Sequence, residues 1–435
     1  MKKNSLHFFN WYFLFSIFYY CFGRYKWNIP SYPKLIIFLI TCYFFLNIGY
    51  RLTWKNKSTL MYGIRREYDF KLVPYKFIRT LFFISSLALI IFQVVWVIVF
   101  FDHFSIMNIF SMLGDNYYSR LDTTFDSKIP IMQFRTLLWG ITLFSYPIGF
   151  LYFKIMPRKD KILFLITIMV DVFAALNMGI SKNIGDIVII FLGMILLKNT
   201  VSTSRKSKRQ NKKNIIKIIT VIIGFLILFG YIQNIRGQVS TGKIFNPYGN
   251  FASYREKNIF NIIFGSNICG IIDKIGSYVS HAYTGLAYAL ELPFKNTYLL
   301  GFSRSLMEYI EQYVGISVSD LTYNFRIDKI YGWHNGQWWP TAFVWIGNAV
   351  SFVFVPLVIF LLGVFFRYLE DDFAKTGNII TATFYSQICI TLVYLPCNMQ
   401  IFQSRQSLFG TLTLLILFLL RRKLYKINSQ QKGHK

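Results

Sequence analysis

Acidic residues and cysteines are scarce in this chain, which carries 19 Asp and Glu against 47 Lys and Arg, with 5 His and 5 Cys. The cysteines are scattered, and Cys21, Cys42 and Cys389 lie inside apolar runs, so the sequence offers neither a disulfide framework nor a metal-binding Cys pattern. An Asp-x-Asp motif and a Gly-rich phosphate loop are also lacking. We therefore expect no metal and no cofactor.

Apolar and basic residues are what the chain has in abundance. It is 54% hydrophobic and 19% aromatic, and its net charge is +28. The basic residues occupy short segments between apolar runs, as topogenic charges and lipid-headgroup contacts do, and they form no continuous basic face. Membrane lipids are thus expected partners, and a nucleic acid is not.

Ten apolar runs have lengths near that needed to cross a hydrocarbon core of about 30 Å. Because a backbone in lipid must satisfy its own hydrogen bonds, these runs are predicted to be helices. The predicted fold is an all-α polytopic integral membrane protein with about ten transmembrane helices. The runs are 7–23, 35–50, 78–101, 135–153, 161–180, 184–198, 214–232, 340–366, 379–396 and 407–420.

One long interval, 233–339, contains no such run and divides the chain into three parts. Residues 1–232 form a predicted bundle of about seven helices with a basic linker at 199–213, and residues 340–435 add about three helices and a basic tail. Connections are usually short, so an interval of this length indicates a function. We expect amphipathic or re-entrant helices there, and the active site.

The distribution of basic residues predicts the orientation. With the N-terminus inside, 30 of the 47 Lys and Arg residues fall on the cytoplasmic side. The positive-inside rule then predicts that both termini are cytoplasmic and that the long loop is extracytoplasmic. Chemistry on that side has no access to ATP or sugar nucleotides, so it requires a substrate that is already activated on its carrier.

The candidate residues in the loop are arginines, acids, histidines and tryptophans. Arg304 and Glu308 stand at i and i+4 of a predicted helix, where the alternatives are a simple ion pair or an arginine that binds phosphate. His281 and His334 are candidate general bases, although a histidine is more often a polar neighbour. Trp338 and Trp339 belong either to an interfacial belt or to a platform for a sugar ring.

Three acids outside the loop are further candidates. Asp122 and Asp126 are spaced to hold a divalent cation or to orient a sugar hydroxyl, although such a run is more often a solvated loop. Asp171 lies well inside an apolar run, where a carboxylate either serves a function or pairs with a polar side chain of another helix.

Two stretches, GSYVSHAYTGLAYALELPFKNTYLLGFSRSLMEYIEQ and YNFRIDKIYGWHNGQWWPTAFVWIGNAVSFVFVPLVIFLLG, resemble the Wzy-type O-antigen polymerases, the oligosaccharide repeat-unit polymerases of bacterial surface polysaccharide assembly. The resemblance covers residues 276–366. It departs from the family at Asn348 and Ala349, where an Asp-Phe-Gly-like element is common, and this puts a carboxylate role at that position in doubt.

The resemblance implies a metal-independent glycosyltransferase that joins undecaprenyl-diphosphate-linked repeat units at the outer face of a bacterial inner membrane. A flippase and a chain-length regulator of the same pathway are then expected partners. The functional residues usually discussed in that family are outer-loop arginines. By that implication Arg236, Arg304 and Arg326 would bind the diphosphate, with Glu308, His281 and His334 as further catalytic candidates.

Three other functions remain open on the sequence alone: an O-antigen ligase, a flippase or other transporter, and a purely structural membrane subunit. An O-antigen ligase performs the same chemistry on a different acceptor, and no residue reports which acceptor is used. A polysaccharide flippase or other transporter usually shows internal repeats, and the sequence shows none. These readings predict different accumulated products: one capped repeat unit in a polymerase knockout, free lipid-linked polymer in a ligase knockout, and cytoplasmic lipid-linked units in a flippase knockout.

Overall fold

The computed structural model describes residues 5–52, 75–100, 130–201, 220, 223–224, 226–230, 232, 248–255, 259–334 and 338–433. Its secondary structure is 80% helical. Most of the linker at 199–213, most of the run at 214–232, and Arg236, Asp122 and Asp126 lie outside the described residues.

The first half of the chain contributes seven helices and one short strand among the described residues. They are α1 (Leu6–Phe22), β1 (Tyr25–Trp27), α2 (Tyr32–Leu52), α3 (Tyr75–Phe100), α4 (Pro130–Thr142), α5 (Ser145–Tyr152), α6 (Arg158–Asn177) and α7 (Lys182–Val201). The second half begins with β2 (Ala252–Tyr254), followed by α8 (Ile259–Ser280), α9 (Ala282–Ala289), α10 (Arg304–Val314) and α11 (Tyr323–Tyr331). It ends with α12 (Ala342–Val350), α13 (Val355–Thr376), α14 (Ile379–Tyr394), α15 (Gln400–Gln403) and α16 (Arg405–Gly433).

Three described helices are long and apolar enough to cross a membrane: Tyr32–Leu52, Lys76–Ile98 and Lys182–Thr200. A fourth span exists if α12 and α13 are counted together. Large apolar side chains such as Ile37, Phe83 and Met169 are exposed on the helix surfaces, as lipid contact requires. The ten spans expected from hydropathy remain a prediction.

The apolar run at 340–366 is not the single straight helix that was expected. It forms α12 and α13, which meet at an angle of 114°. Ser351, between them, has a φ of 69°, a left-handed conformation that ends a helix. Pro356 then stands at the start of α13, where its fixed φ favours a new helix. Hydropathy measures the length and apolarity of a segment, and it carries no information about such a change of helix direction.

Two glycines bring α2 and α13 into close contact. A Cβ on Gly49 would lie 2.1 Å from the Phe360 carbonyl oxygen, and one on Gly363 would lie 2.4 Å from the Leu46 carbonyl oxygen. Small residues at a helix crossing let two backbones approach, and dispersion contacts then stabilise the pair in lipid. This crossing anchors α13, and with it the bend that leads back to α12.

The interval 233–339 is joined to the N-terminal helices by a two-stranded sheet. Strand β1 pairs antiparallel with β2, with Tyr25 opposite Tyr254 and Trp27 opposite Ala252. The ion pair between Lys34 and Glu291, 3.0 Å apart, adds a second connection. The connection between α1 and α2 therefore lies on the same side of the molecule as the long loop.

Candidate functional site

His281 lies at the break between α8 and α9. Its backbone N–H donates to the Ser277 carbonyl, and its Nδ1 lies 3.0 Å from the same oxygen. Because a carbonyl only accepts, Nδ1 carries the proton and Nε2 keeps its lone pair. Burial lowers the pKa of His281 to about 4, against the weaker opposing effect of the hydrogen bond to Ser277. The ring is therefore neutral at neutral pH.

A cluster of aromatic rings surrounds His281, and we call it the aromatic cluster. Tyr248 stacks on the imidazole at 5.7 Å between centroids, and Trp333 lies 6.4 Å from it. Trp333 in turn lies 5.0 Å from Trp338. The remaining members of the cluster are Phe251, Tyr278, His334 and Trp339, each within 6.3 Å of another member.

Gly285 lets Trp333 enter this cluster from the side of α9. A Cβ at Gly285 would lie 2.8 Å from the Trp333 Nε1, closer than two such atoms can approach. Trp333 is fully buried as a result, whereas Trp338 and Trp339 are half-buried. Of the three, only Trp338 and Trp339 have ring surface left for a ligand, and these are the two tryptophans that the sequence proposed for sugar binding.

His334 forms a pair with Asp328, and its Nδ1 lies 2.9 Å from the Asp328 Oδ1. Gly332 makes this pair possible. It ends α11 with a φ of 75°, and its N–H donates to the Asp328 carbonyl, so the chain turns back over the last turn of the helix. His334 is exposed and its ring stacks on Trp338 at 6.0 Å.

The carboxylate of Asp328 fixes the tautomer of His334. An ionised carboxylate only accepts hydrogen bonds, so the His334 Nδ1 carries the proton and Nε2 is left as an acceptor directed away from Asp328. Asp328 was not among the site residues proposed from the sequence, because its six-residue separation from His334 becomes a contact only through the turn at Gly332.

Arg304 and Glu308 form an ion pair on α10, with 2.8 Å between Nε and Oε1. The side chain of Arg304 is 63% exposed, and that of Glu308 is 39% exposed. Their helix packs on α15 and α16: Ser303 and Ser305 donate to the Phe402 and Gln403 carbonyls. The structure thus places Arg304 and Glu308 in a group separate from the aromatic cluster.

Arg326 is buried, and its position is set by contacts within the protein. Its Nη1 donates to the Pro293 carbonyl at 2.8 Å, and its guanidinium lies 5.5 Å from the Tyr323 ring centroid. These contacts tie the start of α11 to the segment that follows α9. The third proposed phosphate-binding arginine, Arg236, lies outside the described residues.

Asn348 connects three segments beneath the site. Its Oδ1 accepts from the Tyr323 backbone N–H, and its Nδ2 donates to the Gly301 carbonyl and to the Asn324 Oδ1. Two of these three bonds need an NH₂ group, which a carboxylate lacks. The asparagine at this position therefore has a structural explanation in this chain.

Within the described residues, no group of three or more His, Cys, Asp or Glu side chains is arranged to hold a metal ion. Asp171 is bonded to side chains of other helices: its carboxylate accepts from Gln93 at 2.6 Å, from Tyr146 at 2.5 Å and from Asn183 at 3.2 Å. Of the two alternatives that the sequence left open, pairing across helices is the one seen.

Comparison with known proteins does not assign the chain to a family. No protein-family model, curated protein or solved structure matches it. The described site combines a carboxylate–histidine pair, a second, neutral histidine and two half-buried indoles, which together suit the binding of a sugar ring and the removal of a proton from one of its hydroxyls.

Proposed function

We propose that the protein is an integral membrane glycosyltransferase of the oligosaccharide repeat-unit polymerase class. In this proposal it spans the inner membrane of a bacterium about ten times, with both termini cytoplasmic. It joins undecaprenyl-diphosphate-linked repeat units on the outer face, without a metal or a cofactor. The resemblance of residues 276–366 to the Wzy-type polymerases and the chemistry of the aromatic cluster both support this function.

Contacts between distant segments are consistent with the proposed orientation. The β1–β2 pairing and the Lys34–Glu291 ion pair each join two segments that the charge distribution puts outside. The ion pairs of Arg79 with Asp160 and of Arg421 with Asp372 each join two segments that it puts inside. The contact of Glu370 with Ser5 likewise joins two segments that it puts inside.

The observation that carries the proposal is the Asp328–His334 pair against Trp338. A hydroxyl of the acceptor sugar would donate to the His334 Nε2 while its ring packs on Trp338. As the acceptor oxygen bonds to the anomeric carbon of the donor, the proton passes to Nε2 and the bond from the anomeric carbon to the diphosphate oxygen breaks. The electron pair leaves with the lipid diphosphate, which is already a stable anion and needs no proton.

His281 would act as a neutral hydrogen-bond acceptor next to Trp333, whose ring in turn lies against that of Trp338. Its low pKa makes it a weak base in the free protein. A diphosphate bound nearby would raise that pKa, because the anion stabilises the imidazolium. Arg236 and Arg304 are the diphosphate ligands that the resemblance implies, since a guanidinium offers several donors to phosphate oxygens. Arg304 would reach the diphosphate from α10, outside the aromatic cluster.

The test is polymer formation by cells that carry His334→Gln or Asp328→Asn. Removal of a general base typically costs 10²–10⁴-fold in rate, so we expect surface polysaccharide with one repeat unit and no ladder on a gel. Protein in the membrane fraction should match wild type. His7→Gln, at an exposed position in α1, is the matched control and should give a normal ladder.

Purified protein with lipid-linked repeat units gives the second readout. A general base acts in its deprotonated form, so His334→Gln should lose the fall in rate at acid pH, a change in the pH–rate profile that a purely structural role would not produce. A normal ladder from both variants would overturn the proposed role of the pair. Free lipid-linked polymer in the knockout would make the protein a ligase, and lipid-linked units held in the cytoplasm would make it a transporter.

A further inference from the structure

A cavity of about 110 Å³ lies among the helices α3, α4, α5, α6, α7, α14, α15 and α16, apart from the aromatic cluster. Its wall is rich in charged and amide side chains, although the surrounding helices are apolar. Those that matter here are Gln93, Asp171, Lys182, Asp186 and Gln387, and Trp139 adds an aromatic face. The proposed function does not use this cavity.

One acceptor atom on the wall, the Gln93 Oε1, has no hydrogen-bond partner among the described residues, and it belongs to a residue that is only 1% exposed. The amide of Gln93 is oriented by its Nε2, which donates to Asp171, so its oxygen must face elsewhere. A buried acceptor without a partner is costly, and such a group on a cavity wall indicates a bound donor.

Two donor atoms close to the cavity also lack a partner within the described part of the chain. They are Nε and Nη1 of Arg135, a residue 2% exposed whose guanidinium lies 4.2 Å from the Trp96 ring and 5.0 Å from the Trp139 ring. Asp171 interacts electrostatically with this guanidinium. Both donor and acceptor atoms at the site are therefore without hydrogen-bond partners in the described part of the chain.

The charges around the cavity balance. Lys182 lies 3.1 Å from Asp186, and Arg135 offsets Asp171. A neutral set of charges gives no net attraction to a phosphate or to a metal cation. A hydroxyl group both donates and accepts, and it is neutral, so it matches the unsatisfied atoms and the charge together.

We propose that this cavity binds a neutral hydroxylated group, either one edge of a sugar ring or a glycerol unit. A volume of about 110 Å³ equals the liquid volume of about three or four waters, which is enough for a three-carbon polyol or for part of a hexose. Trp139 supplies the flat apolar surface on which the C–H face of such a group packs. The proposal does not depend on the polymerase activity, because binding alone tests it.

The experiment measures ligand binding to the full chain in phosphatidylcholine nanodiscs, which avoids glycerol and sugar-based detergents. Saturation-transfer-difference NMR is recorded with glycerol, galactose and N-acetylglucosamine, and separately with inorganic phosphate as competitor. We expect saturable binding of at least one hydroxylated probe at millimolar concentration, with no displacement by phosphate. Binding of the monosaccharides identifies a sugar as the natural source, and binding of glycerol alone identifies a lipid headgroup.

Two variants and a control test whether the probe binds in this cavity. Gln93→Leu removes the unpaired acceptor together with the amide N–H that donates to Asp171, and Ile190→Phe fills the cavity without removing a polar group. Each should weaken binding at least tenfold, whereas Gln312→Leu on the exposed surface of α10 should not change it. Should Gln93→Leu fail to reach the membrane, Ile190→Phe decides alone. Wild-type binding in the cavity variants, displacement by phosphate, or no binding of any probe would overturn the proposal.

Discussion

The guanidinium of Arg304 and the carboxylate of Glu308 lie one helical turn apart on α10, with 2.8 Å between Nε and Oε1. Glu308 thus engages the Nε edge of Arg304 in a pair whose side chains are well exposed. An exposed pair of this kind contributes about 0.2–1 kcal/mol to stability. A role for Arg304 in stability is therefore small, and a strong effect of its substitution would report on ligand binding.

Arg304→Lys separates the two roles of this arginine. Lysine keeps the charge and can still pair with Glu308, but it lacks the planar fork that binds two phosphate oxygens at once. We expect Arg304→Lys and Arg304→Ala to lose long polymer while thermal unfolding stays within a few degrees of wild type. Polysaccharide gels measure the polymer, and the thermal unfolding midpoint of each purified variant measures its stability. Membrane-fraction immunoblots check that the protein level is unchanged.

Glu308→Gln and Arg158→Lys serve as comparisons for that experiment. Near-normal polymer from Glu308→Gln would mean that Glu308 is only the ion-pair partner of Arg304. Loss of polymer from this variant would indicate that Glu308 acts as a base. Arg158→Lys makes the same substitution at the start of α6, on the side that the proposed orientation puts in the cytoplasm. It should leave the polymer unchanged. Full-length polymer from Arg304→Lys would show that Arg304 does not clamp the diphosphate.

The buried imidazole of His281 predicts a loss of stability in mild acid. Burial holds its pKa at about 4, against an ordinary value of 6.5, so the unfolded chain takes up the proton first. Stability contributed by the neutral ring is present above about pH 6.5 and falls as the pH drops towards 4, by about 3 kcal/mol over the whole window.

The measurement is the midpoint of thermal unfolding at pH 7.5 and pH 5 for wild type and His281→Asn. The variant cannot take up this proton, so its midpoint should fall less between the two pH values. Other groups titrate equally in both proteins and cancel in the comparison. An equal fall in both would mean that His281 is not buried in its neutral form.

Asn348→Ala and Asn348→Asp test the junction beneath the site. Alanine leaves the Tyr323 N–H, the Gly301 carbonyl and the Asn324 Oδ1 without this partner, and each orphaned group costs about 1–3 kcal/mol. Aspartate restores only the first bond and directs a carboxylate at two acceptors, so it should be at least as destabilising. Thr297→Val removes a hydroxyl that donates to the Asn348 carbonyl and accepts from the Gly301 N–H, so it breaks two bonds instead of three and should have the smaller effect.

Spacing along one helix was readable from the sequence, and contacts between elements were not. The i, i+4 placement of Arg304 and Glu308 follows from helical geometry alone, so their pairing was an open alternative from the start. The Asp328–His334 contact depends on the left-handed turn at Gly332, and the burial of Arg326 depends on where Pro293 is placed.

The pairing of β1 with β2 brings together residues that lie far apart along the chain, and no local sequence pattern predicts this pairing. Three-residue strands among aromatic residues carry too little periodicity to be told from interfacial loops. Conversely, the apolar run at 340–366 strongly predicted one span, and only Pro356 indicated the bend. Tertiary contacts therefore decide the parts of the site that sequence patterns leave open.

The proposed orientation predicts which surface residues face the outside of the cell. In a variant without its natural cysteines, Lys295→Cys in the long loop should react with a membrane-impermeant maleimide added to intact cells, because the positive-inside rule places that loop outside. Lys159→Cys, at the exposed start of α6, should react only after the membrane is permeabilised. Reporter fusions after Lys198 and Lys426 should read as cytoplasmic, and one after Ser266 as extracytoplasmic. If Lys295→Cys is protected in intact cells while Lys159→Cys reacts, the long loop is cytoplasmic, and a polymerase acting on the outer face is no longer tenable.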